Sequence, residues 1–222
     1  MKVVALCASA RPGGNSELLA ASLLEGAAAT GHETEQVHLR EHVTALLGDC
    51  RTCRRADGCC GIGDGYERLL LDTVITADAI VYATPLYWYG VSGQLKAFFD
   101  RLFCYTSDEH PQSAEVMAGL AGARAALLIS AEESYPGAVL GVVHQLQEFT
   151  RYVGQELLPP VVGIGNSRRE VARDPAKPLD AAHQLGRRLF DARVTDYRMQ
   201  TLRPSSVWSP RSGHLKPPPS MC

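Results

Sequence analysis

Apolar residues gather in five short runs along this chain: Lys2 to Cys7, Thr34 to Leu39, Ala79 to Ala83, Ala125 to Ser130 and Val161 to Ile164. Four of them are almost continuously apolar, as strands covered on both faces should be. The run from Thr34 alternates through Gln36, Val37, His38 and Leu39, which suits an exposed edge. Between the runs the apolar spacing lengthens to that of a helix. Leu19, Leu23 and Ala27 share a face of a segment that stops before Gly31. Leu95, Phe98, Phe99, Leu102 and Phe103 follow a Ser92 cap and are expected in the core, and Val139, Val142, Val143, Leu146, Phe149 and Val153 repeat the spacing up to Gly154. Glu67 to Ala77 and Leu179 to Arg193 complete the helices. This alternation predicts an α/β fold, a doubly wound five-stranded parallel sheet in the order 2-1-3-4-5.

In that topology the ligand crevice opens beyond the carboxyl ends of strands 1 and 3. Strand 1 runs into Ser9-Ala10-Arg11-Pro12-Gly13-Gly14-Asn15-Ser16, a loop of small and hydroxyl residues that enters a helix. Backbone N–H groups, the helix N-terminus and the Arg11 fork can receive a phosphate there, so Ser9, Arg11, Gly14, Asn15 and Ser16 are candidate anion ligands. The same residues also suit a plain turn with Asn15 or Ser16 as N-cap. The loop has neither the G-x-G-x-x-G nor the G-x-x-x-x-G-K-[ST] spacing, which counts against a simple Rossmann NAD site and P-loop ATP chemistry.

Strand 3 runs into Pro85, Leu86, Tyr87, Trp88, Tyr89 and Gly90, the densest aromatic cluster in the chain, and strand 4 into Ser130, Ala131 and Glu132. A phosphate site opposite an aromatic loop suits a ligand with a phosphate at one end and a flat ring at the other, which is the shape of FMN. Tyr87, Trp88 and Tyr89 would touch the ring or a substrate, or else plug the end of the sheet. Backbone groups of Pro85 to Gly90 and of Ser130, Ala131 and Glu132 are the expected partners of the ring edge.

Ser9 to Ser16, Ala79-Ile80-Val81 through Thr84-Pro85-Leu86-Tyr87-Trp88, and Gln94-Leu95-Lys96-Ala97-Phe98-Phe99-Asp100-Arg101 resemble the NADPH-dependent FMN reductase and flavodoxin-like oxidoreductase families over about residues 1 to 190. The first loop is similar to their G-S-x-R-x-x-[GS]-[NS]-[ST] segment. The resemblance implies a flavodoxin-like fold, bound FMN, NADH or NADPH as co-substrate, a homodimer, and alternating reduction of the flavin and of a small acceptor such as a quinone or free flavin. The cofactor then carries the chemistry, and no side chain is assigned as catalytic. An electron-transfer flavoprotein and a non-enzymatic binding module on the same fold are the readings from other classes.

Composition narrows the partners. With 222 residues and 45% hydrophobic content, the chain predicts one domain over 1–195, with a Pro-rich tail over 196–222. Lys+Arg 22 against Asp+Glu 24 leave a net charge of -2 and no basic stripe, so neither nucleic acid nor membrane is an expected partner. The amino terminus enters a strand at once, without a signal-peptide pattern, which suggests a cytoplasmic protein with reduced cysteines. Cys50, Cys53, Cys59 and Cys60 resemble the cysteine loop of iron-sulfur flavoproteins, but a C-x-x-C-x-x-C triplet would need a cysteine where Leu47 or Ala56 stands. Structural or free thiols are the favoured reading, with metal, cluster and redox disulfide as alternatives. Cys7 reads as a small core residue, and His38 with His42 straddle a strand end rather than forming a metal site.

Overall fold

The computed structural model describes residues 1–192. The order of elements is β1 (Lys2–Cys7), α1 (Asn15–Ala28), β2 (Glu33–His38), the short turn of helix α2 (Cys50–Cys53), α3 (Tyr66–Arg68), β3 (Ala79–Pro85), α4 (Gly93–Thr106), α5 (Ser113–Leu120), β4 (Arg124–Ala131), α6 (Leu140–Val153), β5 (Glu156–Leu157), β6 (Val161–Ile164) and α7 (Pro178–Arg187). The strands pair in parallel in the order β2-β1-β3-β4-β5, and β6 also pairs with β4. That is the expected doubly wound order.

The alternation of the strands sorts two cores. Val4 and Leu6 of β1, Ile80 and Tyr82 of β3, and Leu127 and Ile129 of β4 face the layer of α3, α4 and α6. Val3, Ala5, Cys7, Ala79, Val81 and Ala83 face α1 and α7. The second face carries smaller residues, and its two helices cross closely: a Cβ on Gly26 would stand 2.1 Å from the His183 carbonyl oxygen, so only glycine fits there.

Several sequence expectations change. The fifth strand position is filled twice, by β5 and β6, because Pro159 and Pro160 have no N–H to continue a ladder. The helix expected over Glu67 to Ala77 winds as α3 and then as a π-helix over Leu69–Val74, with Ile75 N–H donating to the Leu70 carbonyl. Helix α5 has too short an apolar stripe to stand out in the sequence. Phe103 is 61% exposed, against the expectation of a core residue, since it lies past Phe99 at the edge of the stripe that α4 turns to the sheet. The tail over 196–222 lies outside the described residues. No helix among them is long and apolar enough to cross a membrane.

Candidate functional site

β1 ends at Cys7, and the loop after it is shaped by short-range hydrogen bonds. The Ser9 hydroxyl accepts from Arg11 N–H at 3.0 Å and closes the turn. Gly13 takes φ +65°, and a Cβ on Gly14 would stand 3.1 Å from the Arg11 carbonyl oxygen and 3.4 Å from Ser9 Oγ, so the backbone folds tightly over the helix end. Helix α1 has Gly14 as its N-cap, with no side-chain cap bond; neither Asn15 nor Ser16 plays that part. The N–H groups of Asn15, Ser16 and Glu17 form the first turn, where an α-helix leaves donors without carbonyl partners four residues back. Ser16 is 1% exposed, and its hydroxyl has no hydrogen-bond partner. A buried orphan hydroxyl beside free helix N–H groups is a fitting receptor for a phosphate. Arg11 is exposed at the loop's crest, free to fold over an anion.

Asn15 is placed differently from Ser16. Its amide nitrogen donates to the Gly165 and Ser167 carbonyls at 2.8 and 3.0 Å, and its oxygen accepts from Val171 N–H at 3.3 Å. The side chain therefore pins the segment after β6 to the cradle, leaving its backbone N–H for an anion. Glu17 is a further structural part of the loop that sequence reasoning missed. Its Oε2 accepts from Gly13 N–H at 2.5 Å, while Oε1 lies 3.3 Å from His38 Nδ1 and 3.8 Å from Arg40. A carboxylate beneath an anion site raises the local negative potential, and the Arg40 charge at the end of β2 offsets it. Burial, with Glu17 adding to it and Arg40 opposing it, pushes the Cys7 thiol up to about 12, so this cysteine stays an inert core residue.

The loop after β3 meets the cradle through a cavity of about 290 Å³ lined by Ala8, Ala10, residues 43–46, Tyr87, Gln94 and Ala97. Tyr87 lines this cavity, whereas Trp88 is 98% exposed. Tyr87 and Gly90 exchange both backbone hydrogen bonds around Trp88 and Tyr89, which take φ 50° and 60°. This is the geometry of a tight hairpin turn that favours Asn and Gly, and two aromatic residues hold it under backbone strain. Leu86 N–H donates to the Ser130 carbonyl at 2.8 Å, so the chain leaving β3 is fastened to the end of β4. The Leu86, Tyr87 and Gly90 donors expected at a ring edge are thus already engaged within the protein. Pro85, Ser130 and Ala131 are buried at the strand ends, and Glu132 is exposed.

Ser92 ties the site's framework to α4. Its hydroxyl accepts from Leu95 N–H as the expected N-cap and donates to the Ala8 carbonyl at 2.7 Å, while its own N–H donates to Thr84 Oγ1. β1, β3 and α4 are locked at one point. Gln94, next in line, presents a side-chain oxygen without a partner at the cavity. Sequence reasoning had no signal for Gln94 beyond its place in the Gln94 to Arg101 segment.

A doubly wound parallel sheet of this order, with a loop of small residues entering a helix after its first strand, is the flavodoxin-like fold. The chain belongs to the NADPH-dependent FMN reductase family, whose model matches residues 1–151. That family uses FMN and NAD(P)H. The chain is 25% identical over 188 residues to YwqN of Bacillus subtilis, named as a candidate NAD(P)H-dependent FMN-containing oxidoreductase, covering 85% of this chain and 98% of that protein. It is 28% identical over 203 residues to an iron-sulfur flavoprotein of Archaeoglobus fulgidus, covering 90% and 84% of the two. Among solved structures, an NAD(P)H:quinone oxidoreductase from Methanothermobacter marburgensis superposes with a TM-score of 0.59 at 19% identity, covering 85% of this chain and 96% of that one. The azoreductase AzrA gives 0.61 at 17% identity, covering 85% and 100%. These likenesses share the fold.

Proposed function

We propose that this chain is an NAD(P)H-dependent oxidoreductase that anchors FMN at the cradle after β1 and reduces a small, flat acceptor of the quinone or azo class. The observation that carries the reading is the buried, unpartnered Ser16 hydroxyl in the first turn of α1, within a loop of the family's phosphate-binding kind. Ser16, Ser9, Arg11, Gly14 and the N–H groups of Asn15 to Glu17 would hold the phosphate. Bound FMN supplies the hydride-accepting and hydride-donating ring. The protein's part is to place and shelter that ring. Glu17 holds Gly13 in its left-handed conformation, the Leu86 to Ser130 bond sets the loop above it, and Val43, Ala97 and Tyr87 wall the adjoining cavity against water. Gln94 offers an acceptor to a donor group on the substrate. The acceptor class is that for which the quinone oxidoreductase and azoreductase neighbours are named.

A second copy of the chain is the proposed cover for the exposed aromatics Trp88, Tyr89 and Tyr135, completing the site as a homodimer. The test begins with anaerobic flavin-loaded protein. NADPH or NADH should bleach the flavin rapidly, and steady-state plots at several acceptor concentrations should be parallel. Arg11→Ala should weaken FMN about 10- to 100-fold, the worth of one or two charge-assisted hydrogen bonds, and leave riboflavin affinity nearly unchanged. Flavin that stays oxidised with both nucleotides would point to an electron carrier, and unaltered FMN affinity in the variant would place the phosphate elsewhere.

A further inference from the structure

We propose that the cavity at the N-terminus of α4 receives the nicotinamide ring of NAD(P)H, its carboxamide held by the Gly93 and Gln94 N–H groups and the Gln94 side-chain oxygen. The assignment rests on the reading of the chain as an NAD(P)H-dependent oxidoreductase. Ser92 sets the helix end: its N–H donates to Thr84 Oγ1 at 3.0 Å and its hydroxyl to the Ala8 carbonyl at 2.7 Å. Leu95 N–H is taken by Ser92 Oγ at 3.3 Å, and Lys96 N–H by the Ser92 carbonyl at 2.9 Å. The N–H groups of Gly93 and Gln94 have no carbonyl four residues back inside the helix and no partner among the described residues. Both residues line the cavity. Gln94 Oε1 is buried there without a partner as well. An acceptor so placed costs stability until a donor reaches it. Two consecutive residues thus offer two free donors and one orphan acceptor.

The ligand that answers this set carries a carbonyl and an N–H together on one edge of a flat ring. The nicotinamide carboxamide does: its oxygen accepts from the backbone groups, and its NH₂ donates to Gln94 Oε1. A quinone carbonyl only accepts, so it would leave Oε1 unpaired. Size agrees. The cavity holds about 290 Å³, at the lower edge of pockets that enclose a drug-sized molecule, so it suits one ring of a dinucleotide rather than the whole. Ala8, Val43 and Ala97 give it buried apolar walls for the ring faces. Leu46, Tyr87 and Gly93 line it and are also exposed, which marks the open side through which the ribose and phosphates leave. The wall at residues 44 and 45 is fixed, because Asp64 accepts from Thr44 and Ala45 N–H at 3.0 and 3.3 Å. Ala8 and Ala10 belong to the loop that forms the cradle and Tyr87 to the loop after β3, so the cavity adjoins the proposed flavin site.

The test uses the FMN-loaded full chain and oxidised nucleotides, which bind without turnover. NADP⁺ and NAD⁺ are titrated by calorimetry, each beside its 3-acetylpyridine analogue, in which a methyl ketone keeps the carbonyl and lacks the N–H. The wild type should bind the carboxamide about 10-fold more tightly, the worth of one hydrogen bond to a buried acceptor. Because the analogue removes the donor from the ligand, the wild type alone tests the contact. Gln94→Leu should weaken the natural nucleotide by about the same factor and leave the analogue nearly unchanged, so the preference disappears. Gln94→Glu, which keeps an acceptor oxygen, should retain it. Ala45→Leu, narrowing the cavity from its half-buried wall, should weaken both ligands together. A wild type without the preference, or a preference that survives Gln94→Leu, would overturn the carboxamide contact. Equal loss of both ligands in Gln94→Leu would do the same, since that is the result if the adenine were the occupant. Unchanged binding in Ala45→Leu would overturn the cavity as the site. Wild-type flavin that neither NADPH nor NADH bleaches would sink the proposed function itself, whereas bleaching with a surviving preference sinks this assignment alone.

Discussion

Asp64 Oδ2 receives Arg101 at 2.5 Å, Thr44 N–H at 3.0 Å and Ala45 N–H at 3.3 Å, and Oδ1 receives Tyr66 N–H at 3.1 Å. Arg101, 1% exposed, lies over the Tyr66 ring at 4.4 Å and has two further nitrogens without partners. Burial pushes the Asp64 carboxyl upward, but the Arg101 guanidinium and the Thr44 and Tyr66 N–H groups outweigh it and hold the group below its ordinary value. Asp64→Asn should therefore cost about 3–5 kcal/mol, because it strands a buried guanidinium, and should loosen residues 44 and 45 at the cavity wall. Denaturant unfolding checks the first and amide exchange the second. Arg101 belongs to a segment legible in the sequence, yet its partner is 37 positions away in an irregular loop. No local pattern encodes that distance.

At the scale of elements, α4 and the turn after β3 depart most from simple patterning. The stripe Leu95, Phe98, Leu102 identified α4 correctly, and Lys96 with Asp100, 2.5 Å apart, is the expected exposed pair. The stripe could not reveal that a second side of the helix is buried under residues 43–65, which is why Cys104 and Arg101 lie inside while Phe103 lies outside. In the turn, Trp88 and Tyr89 occupy left-handed backbone positions that cost on the order of 1–3 kcal/mol each for such side chains. Replacing them together with Asn and Gly should raise stability by about 1 kcal/mol or more, a few degrees in Tm, while FMN stays bound. The same change should lower turnover of aromatic acceptors. A variant with lower stability would mean that these side chains hold the fold.

For the molecule as a whole, stability should depend on ligand and, through His110 and Asp64, on pH. FMN at about 100 times its Kd should add about 2.7 kcal/mol, some 5–10 °C in Tm for a chain of this size, and riboflavin at the same concentration should add less. Thermal scans with each compound test this. His110 is buried against the Tyr105 ring, and its Nδ1 accepts from Gln112 N–H. Burial lowers its pKa, so the folded state favours the neutral ring. The unfolded chain then binds the extra proton, and this contribution is present above the ordinary histidine value of about 6.5 and is lost as pH falls below it. The depressed carboxyl of Asp64 contributes above about 3.9, and that share is lost as pH falls further, through the folded value. Unfolding midpoints should fall in two stages on acidification, and Asp64→Asn should remove the lower one.

Periodicity and the rules of doubly wound topology determined the parallel sheet and its order, because strand burial and helix stripes are written in local spacing. Ser9 to Ser16 is contiguous, so its small residues and helix entry were legible before any coordinates. The tertiary structure decided the rest through contacts between distant positions. Asn15 turned from a cap into a strut for Gly165 and Ser167, Glu17 joined His38 and Arg40, and Cys104 met the cysteine segment from a different helix. It also decided which face of the aromatic turn meets the cavity, since the hydrogen-bonded closure of Tyr87 on Gly90 sends Trp88 to solvent. Sequence spacing sets which residues share a face, and packing sets which faces meet.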